Sequence, residues 1–172
     1  MLNLTLDLQN YRDDGTFVQR VAARGIICRD GKYLVIVGKY GDCKFPGGGQ
    51  EEGETLWDTL KREVQEETGY LVKEETAKEV ICVTERRKGD PDDLMIMRSH
   101  YFLCDVEAAA GERDLDDYEA EYEYQVKWLT LEECIRINEA VTDDSDIPWV
   151  ARELMVMREL NAASHMDGHS SL

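Results

Sequence analysis

Three glutamates, Glu63, Glu66 and Glu67, stand at positions i, i+3 and i+4. On a helix those positions share one face, so three carboxylates point the same way. Like charges at that spacing repel by roughly 0.2–0.5 kcal/mol per pair, and a solvated face gains nothing by crowding them. A hard divalent cation removes the repulsion, and carboxylate oxygens are the ligands Mg²⁺ takes. Taken alone, a run such as EVQEE is more often a solvated acidic face. What surrounds the glutamates therefore decides how they are read.

The surrounding stretch, residues 45–70, is FPGGGQEEGETLWDTLKREVQEETGY. Thr55 followed by Asp58 forms a capping-box pattern that starts a helix, with the shorter acid in place of Glu. Gly69 supplies the residue that a helix C-terminus places at positive φ. Leu56, Leu60 and Val64 repeat at i, i+4 and i+8 and give the helix one apolar side. Ahead of it, Pro46 stiffens the chain, while Gly47, Gly48 and Gly49 form a glycine turn that lets backbone approach a ligand closely.

These residues resemble the Nudix box, G-x5-E-x7-R-E-U-x-E-E-x-G-U, with U a bulky aliphatic. Gly48 is followed after five residues by Glu54, and seven more lead to Arg62-Glu63-Val64, then Glu66-Glu67, Gly69 and Tyr70. Every specified position is met except the last, where Tyr70 replaces an aliphatic residue and fills an apolar slot with its hydroxyl at the edge. The glycine turn, Glu54 and Arg62 at their set spacings reverse the preference for a solvated acidic face. The resemblance implies an α/β fold, the Nudix-type α/β/α sandwich with a mixed β-sheet between helices. It implies Glu63, Glu66 and Glu67 as metal-binding and catalytic glutamates, one of them acting as or assisting the general base. Gly48 adds a candidate backbone carbonyl ligand, and Gly47 and Gly48 shape a phosphate cradle. Arg62 and Glu54 are expected to pair across the loop–helix junction and orient the carboxylates. The cofactor implied is Mg²⁺, with Mn²⁺ as a substitute.

The chain has 172 residues and a net charge of −17. The length fits one domain with a sizeable core, expected over residues 1–162, with 163–172 a disordered polar tail. So acidic a surface repels phosphate backbones and argues against DNA or RNA as a partner. No apolar run approaches the ~18 residues of a membrane helix, and the N-terminus lacks the pattern of a signal peptide. The five cysteines are scattered and form no CxxC pair, which argues against zinc and reads as buried free thiols of a reducing cytoplasm. A homodimer is left open.

Alternation at Leu2, Leu4, Leu6 and Leu8 predicts a short edge strand. Residues 17–27 and 32–37 read as a hairpin closed by Asp30-Gly31. Strands are expected at 80–87, 94–106 and 124–129, an exposed acidic loop at 108–123, a capped helix from Thr130 to about Ala140, and a final helix opened by Asp146 and Pro148.

Outside the box, Arg86 and Arg87 end a strand beside a loop and are candidate substrate-phosphate contacts, balanced by a reading as solvent-exposed charges. Glu121 is a candidate extra catalytic glutamate by the same resemblance, in competition with Glu119 and Glu123. His100 reads as structural, and Trp57, Trp128 and Trp149 as core or interface residues. The implied function is metal-dependent cleavage of the pyrophosphate bond of a nucleoside diphosphate linked to another moiety. Candidate substrates are a modified nucleoside triphosphate, ADP-ribose or a nucleotide sugar. Beyond the box, where the ADP-ribose subfamilies carry a proline, the chain has Thr84-Glu85-Arg86 and no proline until Pro91, which weighs against those subfamilies. The alternative from another class is a catalytically inactive Nudix-fold nucleotide-binding module or sensor, disfavoured because all box carboxylates are kept. A prenyl diphosphate isomerase and an RNA-decapping enzyme rank lower.

Overall fold

Period-two alternation in the first half of the chain becomes strands, and the 3.6-residue pattern after the glycine turn becomes a helix. The computed structural model describes residues 1–107, 111, 113, 124–141 and 147–167. These fall into two compact units, Met1–Ile27 with Pro46–Asp114, and Cys28–Phe45 with Leu115–Leu172.

The first unit is built on a five-stranded mixed sheet. Its strands are β1 (Leu2–Asp7), β2 (Phe17–Ile26), β6 (Gly47–Gly49), β7 (Lys78–Arg87) and β8 (Leu94–Leu103), in the order β1-β7-β8-β2-β6. β1 runs parallel to β7 and β2 parallel to β8, while the β7–β8 and β2–β6 pairs are antiparallel. The N-terminal strand does take the expected edge. The glycine turn is itself a short strand, a correction to the sequence reading. Gly47 has φ +143°, and a Cβ there would run into the Ala23 carbonyl and the Arg24 backbone, so only glycine lets this segment lie against β2. The buried Arg24 donates from Nη1 to the Gly47 carbonyl at 3.0 Å.

Helix α1 (Leu56–Thr68) follows in this unit. The Thr55 hydroxyl accepts from the Asp58 N–H, the Asp58 carboxylate accepts from the Thr55 N–H, and Gly69 closes the helix at φ +75°. Leu60 and Val64 are fully buried. Gly25 of β2 gives α1 its seat: a Cβ at that position would lie 3.3 Å from Val64 Cγ2 and 3.6 Å from Leu60 Cδ1. Burying these two side chains stabilises the unit by about 1.5–3 kcal/mol each.

The second unit carries β3 (Cys28–Arg29), β4 (Lys32–Val37), β5 (Cys43–Lys44) and β9 (Gln125–Leu129), with β4 paired to each of the other three. Asp30 and Gly31 both have positive φ, as a tight hairpin turn with right-handed twist requires, but the turn joins β4 to Cys28–Arg29 alone, and residues 17–26, expected as its other arm, pair with β8 and β6 instead. Helix α2 (Leu131–Glu139) starts at a full capping box of Thr130 and Glu133. Helix α3 (Val150–Asp167) starts two residues beyond Pro148 and continues to Asp167, past residue 162 where the sequence reading ends the domain. Asn138 anchors β5, accepting from the Cys43 N–H at 2.7 Å and donating to its carbonyl at 2.8 Å. All five cysteines are free thiols, but Cys28 is exposed, because it begins a two-residue strand at the hairpin end. No helix among the described residues is long and apolar enough to cross a membrane.

Truncating Leu60 to Ala removes the centre of the α1 seat. Denaturant unfolding of the variant is expected to show a loss of about 2–5 kcal/mol, and an unchanged midpoint would contradict this packing.

Candidate active site

The sequence places Arg62 beside three acids, and the fold gives each of its donors a place. Arg62 Nε donates to Glu54 Oε1 at 2.6 Å and Nη2 to Glu54 Oε2 at 3.0 Å, a bidentate pair. Nη1 donates to Glu63 Oε1 at 2.7 Å and to Glu66 Oε2 at 3.1 Å, and Nη2 also reaches the Gly49 carbonyl at 3.0 Å. All five N–H donors of the guanidinium are used. They tie the glycine strand, the acidic loop and two turns of α1 to one planar group.

Glu54 is supported from its other side. Its Oε2 accepts from the Thr59 hydroxyl at 2.8 Å and from the Glu51 N–H at 3.0 Å, and its carbonyl accepts from Gln50 Nε2 at 2.6 Å. Arg62 first, then the Glu51 N–H and the Thr59 hydroxyl, hold its carboxyl down to about 2. Nothing in the sequence marks Thr59 or Gln50. Threonine inside a helix and glutamine in a loop carry no signal until their partners are known.

The carboxylates differ in setting. Glu67 is fully buried and accepts the Gly47 N–H at 2.8 Å. The Glu63 side chain is 12% exposed and that of Glu66 35%. Burial, and next the charge of Glu67, push the Glu63 carboxyl up, against the opposing pull of Arg62. The α-carbon of Gly48 faces Glu63 so closely that a Cβ would collide with the carboxylate. Glycine here is thus a demand of the acid it faces. One guanidinium against four carboxylates leaves the cluster strongly negative, and every free donor atom in it is oxygen. That set suits a hard divalent cation.

Beside the cluster lies a groove of about 580 Å³ lined by Gln19, Arg20, Val21, Gly49, Gln50, Glu51 and Glu52. Arg20, which no motif in the sequence marks, is its basic residue.

Other predicted residues lie elsewhere. Arg86 donates to the Tyr11 hydroxyl at 2.9 Å and to Asp13 at 3.1 Å, lies 3.7 Å from Asp7, and stacks over Tyr11. These contacts tie the N-terminal segment to β7. Arg87 Nε lies 3.1 Å from the fully buried Glu85, and its Nη1 donates to the Lys88 carbonyl. Neither arginine joins the box hydrogen bonds. Trp149 donates to Asp42, and Arg29 lies over the Trp128 ring. Glu119, Glu121 and Glu123 lie outside the described residues.

Two outcomes check this geometry. Because the folded Glu54 titrates near 2, below the ordinary carboxylate range, its stabilisation is complete above about 4.5 and is lost as pH falls through about 2. Glu54→Gln is therefore expected to lower the melting temperature at pH 7 by a few degrees, with the gap to the parent protein closing as pH falls. A gap that stays constant with pH would count against the Arg62–Glu54 pair. Arg62→Lys, which keeps the charge but cannot fork to five acceptors, is expected to melt lower than the parent as well, and an unchanged melting temperature would show that the fork is not needed.

Comparisons with known proteins bear on the family and the fold. The family model described as NUDIX domain matches residues 18–151. A protein of Arabidopsis thaliana named Nudix hydrolase 6 is 34% identical over 92 residues, which is 54% of this chain and 29% of that protein. An ADP-ribose pyrophosphatase of Methanocaldococcus jannaschii is 38% identical over 109 residues, 59% of this chain and 60% of that one. The match therefore spans less than two thirds of either relative. Among solved structures, a MutT NUDIX hydrolase from Burkholderia pseudomallei aligns with TM-score 0.53 at 21% identity over 67% of this chain and 85% of its own. A NUDIX hydrolase from Nitrosomonas europaea aligns with TM-score 0.54 at 21% identity over 81% and 90%. These likenesses show the Nudix-type α/β fold with its mixed sheet. With the family model covering most of the sequence and the box residues gathered around Arg62, the chain belongs to the NUDIX domain family.

Proposed function

We propose that this protein is a metal-dependent hydrolase of the pyrophosphate bond in a nucleoside diphosphate linked to another moiety. The observation that carries the reading is the Arg62 cluster, in which one fully engaged guanidinium holds carboxylates whose summed charge it cannot balance. Glu63, Glu66 and Glu67 would hold the cation, Mg²⁺ first and Mn²⁺ as substitute, with the Gly48 carbonyl as a further candidate ligand. When bound, the cation supplies neutralisation of the charge that builds on phosphate oxygens as the anhydride bond breaks.

The chain's own groups do the rest. Arg62 fixes the directions of Glu63 and Glu66, and the Gly47 N–H fixes Glu67, so the carboxylates need little reorganisation when substrate arrives. Glu66, the most exposed of the three side chains, is best placed to accept a proton from attacking water. Gly49 of the glycine strand leaves open space where a side chain would stand, and Arg20 in the adjoining groove brings a cation to an anionic substrate. The relative from Methanocaldococcus jannaschii puts ADP-ribose first among compounds to try. Modified nucleoside triphosphates and nucleotide sugars follow.

The deciding measurement is product identification from a panel of these compounds with Mg²⁺ and with Mn²⁺. Cleavage at the anhydride of at least one is expected. No cleavage of any, with metal shown to be bound, would move the protein to the nucleotide-binding class. Glu66→Gln is expected to cut turnover by about 10²–10⁴-fold with an unchanged circular dichroism spectrum, and full activity would remove the assignment. Arg20→Ala is expected to raise KM more than it lowers kcat.

A further inference from the structure

A second cluster of ligand atoms sits on strands that carry no box residue. Cys82 of β7 and His100 of β8 are directly opposite each other in the antiparallel register. Glu79 lies three positions before Cys82, and strict alternation would put the two on opposite faces of the sheet. The register shift between Glu79 and Ile81 cancels that, bringing Glu79 round to the face of Cys82 and His100. The Glu79 carboxylate lies 2.8 Å from His100 Nδ1. One ligand atom from each of the three residues lies within 4.8 Å of the others. All three are half-buried, so they are held by the sheet yet open to solvent on one side.

We propose that Glu79, Cys82 and His100 bind a borderline divalent transition metal of the Zn²⁺ class, with water in the fourth position. A tetrahedral ion about 2.0–2.3 Å from oxygen, nitrogen and sulfur donors needs ligand atoms roughly 3.3–3.6 Å apart, which small side-chain rotations reach from the present spacing. The donor set separates this site from the box: thiolate and imidazole select Zn²⁺ or Co²⁺, whereas the all-carboxylate cluster suits Mg²⁺. Cys82 binds as thiolate and its proton passes to solvent. Glu79 exchanges its contact with the imidazole for the ion, which completes three protein ligands. No CxxC pair in the sequence points to zinc. These ligands are brought together by a strand pair and a bulge, which no local spacing announces.

The test uses the full chain, reduced and freed of metal, titrated with Co²⁺. A sulfur-to-cobalt charge-transfer absorption saturating at one equivalent is expected, lost on addition of Zn²⁺. Cys82→Ser is expected to abolish the band and His100→Gln to weaken Co²⁺ binding at least about ten-fold. The double variant Glu63→Gln/Glu66→Gln and the exposed-thiol variant Cys28→Ser are expected to keep it. Absence of the band at saturating Co²⁺ would overturn the proposal, as would its survival in Cys82→Ser or its loss in Cys28→Ser. Should Cys82→Ser fail to fold, the His100→Gln result decides.

Discussion

The guanidinium of Arg62 is the constraint on which the site depends. Carboxylates at i, i+3 and i+4 repel, and the fold buries one of them completely and another nearly so. A single cation with five directed donors, reaching Glu54, Glu63, Glu66 and the Gly49 carbonyl together, offsets the repulsion at Glu63 and Glu66, while the Gly47 N–H meets the buried Glu67. A point-like ammonium cannot do this, because the acceptors lie in different directions around one plane. The remaining negative charge is what a hard cation would meet.

Two backbone features set the stage for that interaction. Gly47 lies against β2 only because it has no Cβ, and its N–H then faces the buried Glu67. Gly48 leaves the space that the Glu63 carboxylate occupies. The capping box at Thr55 and the positive-φ stop at Gly69 fix where α1 begins and ends, and so which residues fall on its acidic face. The packing of Leu60 and Val64 on Gly25 then fixes the rotation of the helix about its axis. Helix ends, strand glycines and one apolar seat thus convert a linear spacing into a three-dimensional cluster.

The same sheet shows how a fold can place ligand atoms with no local signature. Glu79 and Cys82 differ by an odd number of positions, yet the bulge puts them on one face, and His100 joins them across the β7–β8 pair. Arg86 teaches the reverse lesson. A strand-end arginine beside a loop is a reasonable phosphate contact in the sequence, but Tyr11, Asp7 and Asp13 surround it once β1 pairs with β7.

Much of this protein was legible in the sequence because the signals are local. Capping boxes, a C-terminal glycine, period-two strands, the Asp30-Gly31 turn and the acidic triad all act over eight residues or fewer, the range in which backbone geometry alone relates side chains. The box spacing carried the family and the pairing of Arg62 with Glu54. Tertiary structure decided what distant chain segments do to one another: the glycine turn becoming a strand against β2, the support of Glu54 by Thr59 and Gln50, the groove holding Arg20, and the unequal burial of the three glutamates. The physical reason is that burial, and the electrostatics that follow from it, are properties of packed surroundings. A sequence spacing fixes direction along one element and leaves the surroundings open until the sheet has formed.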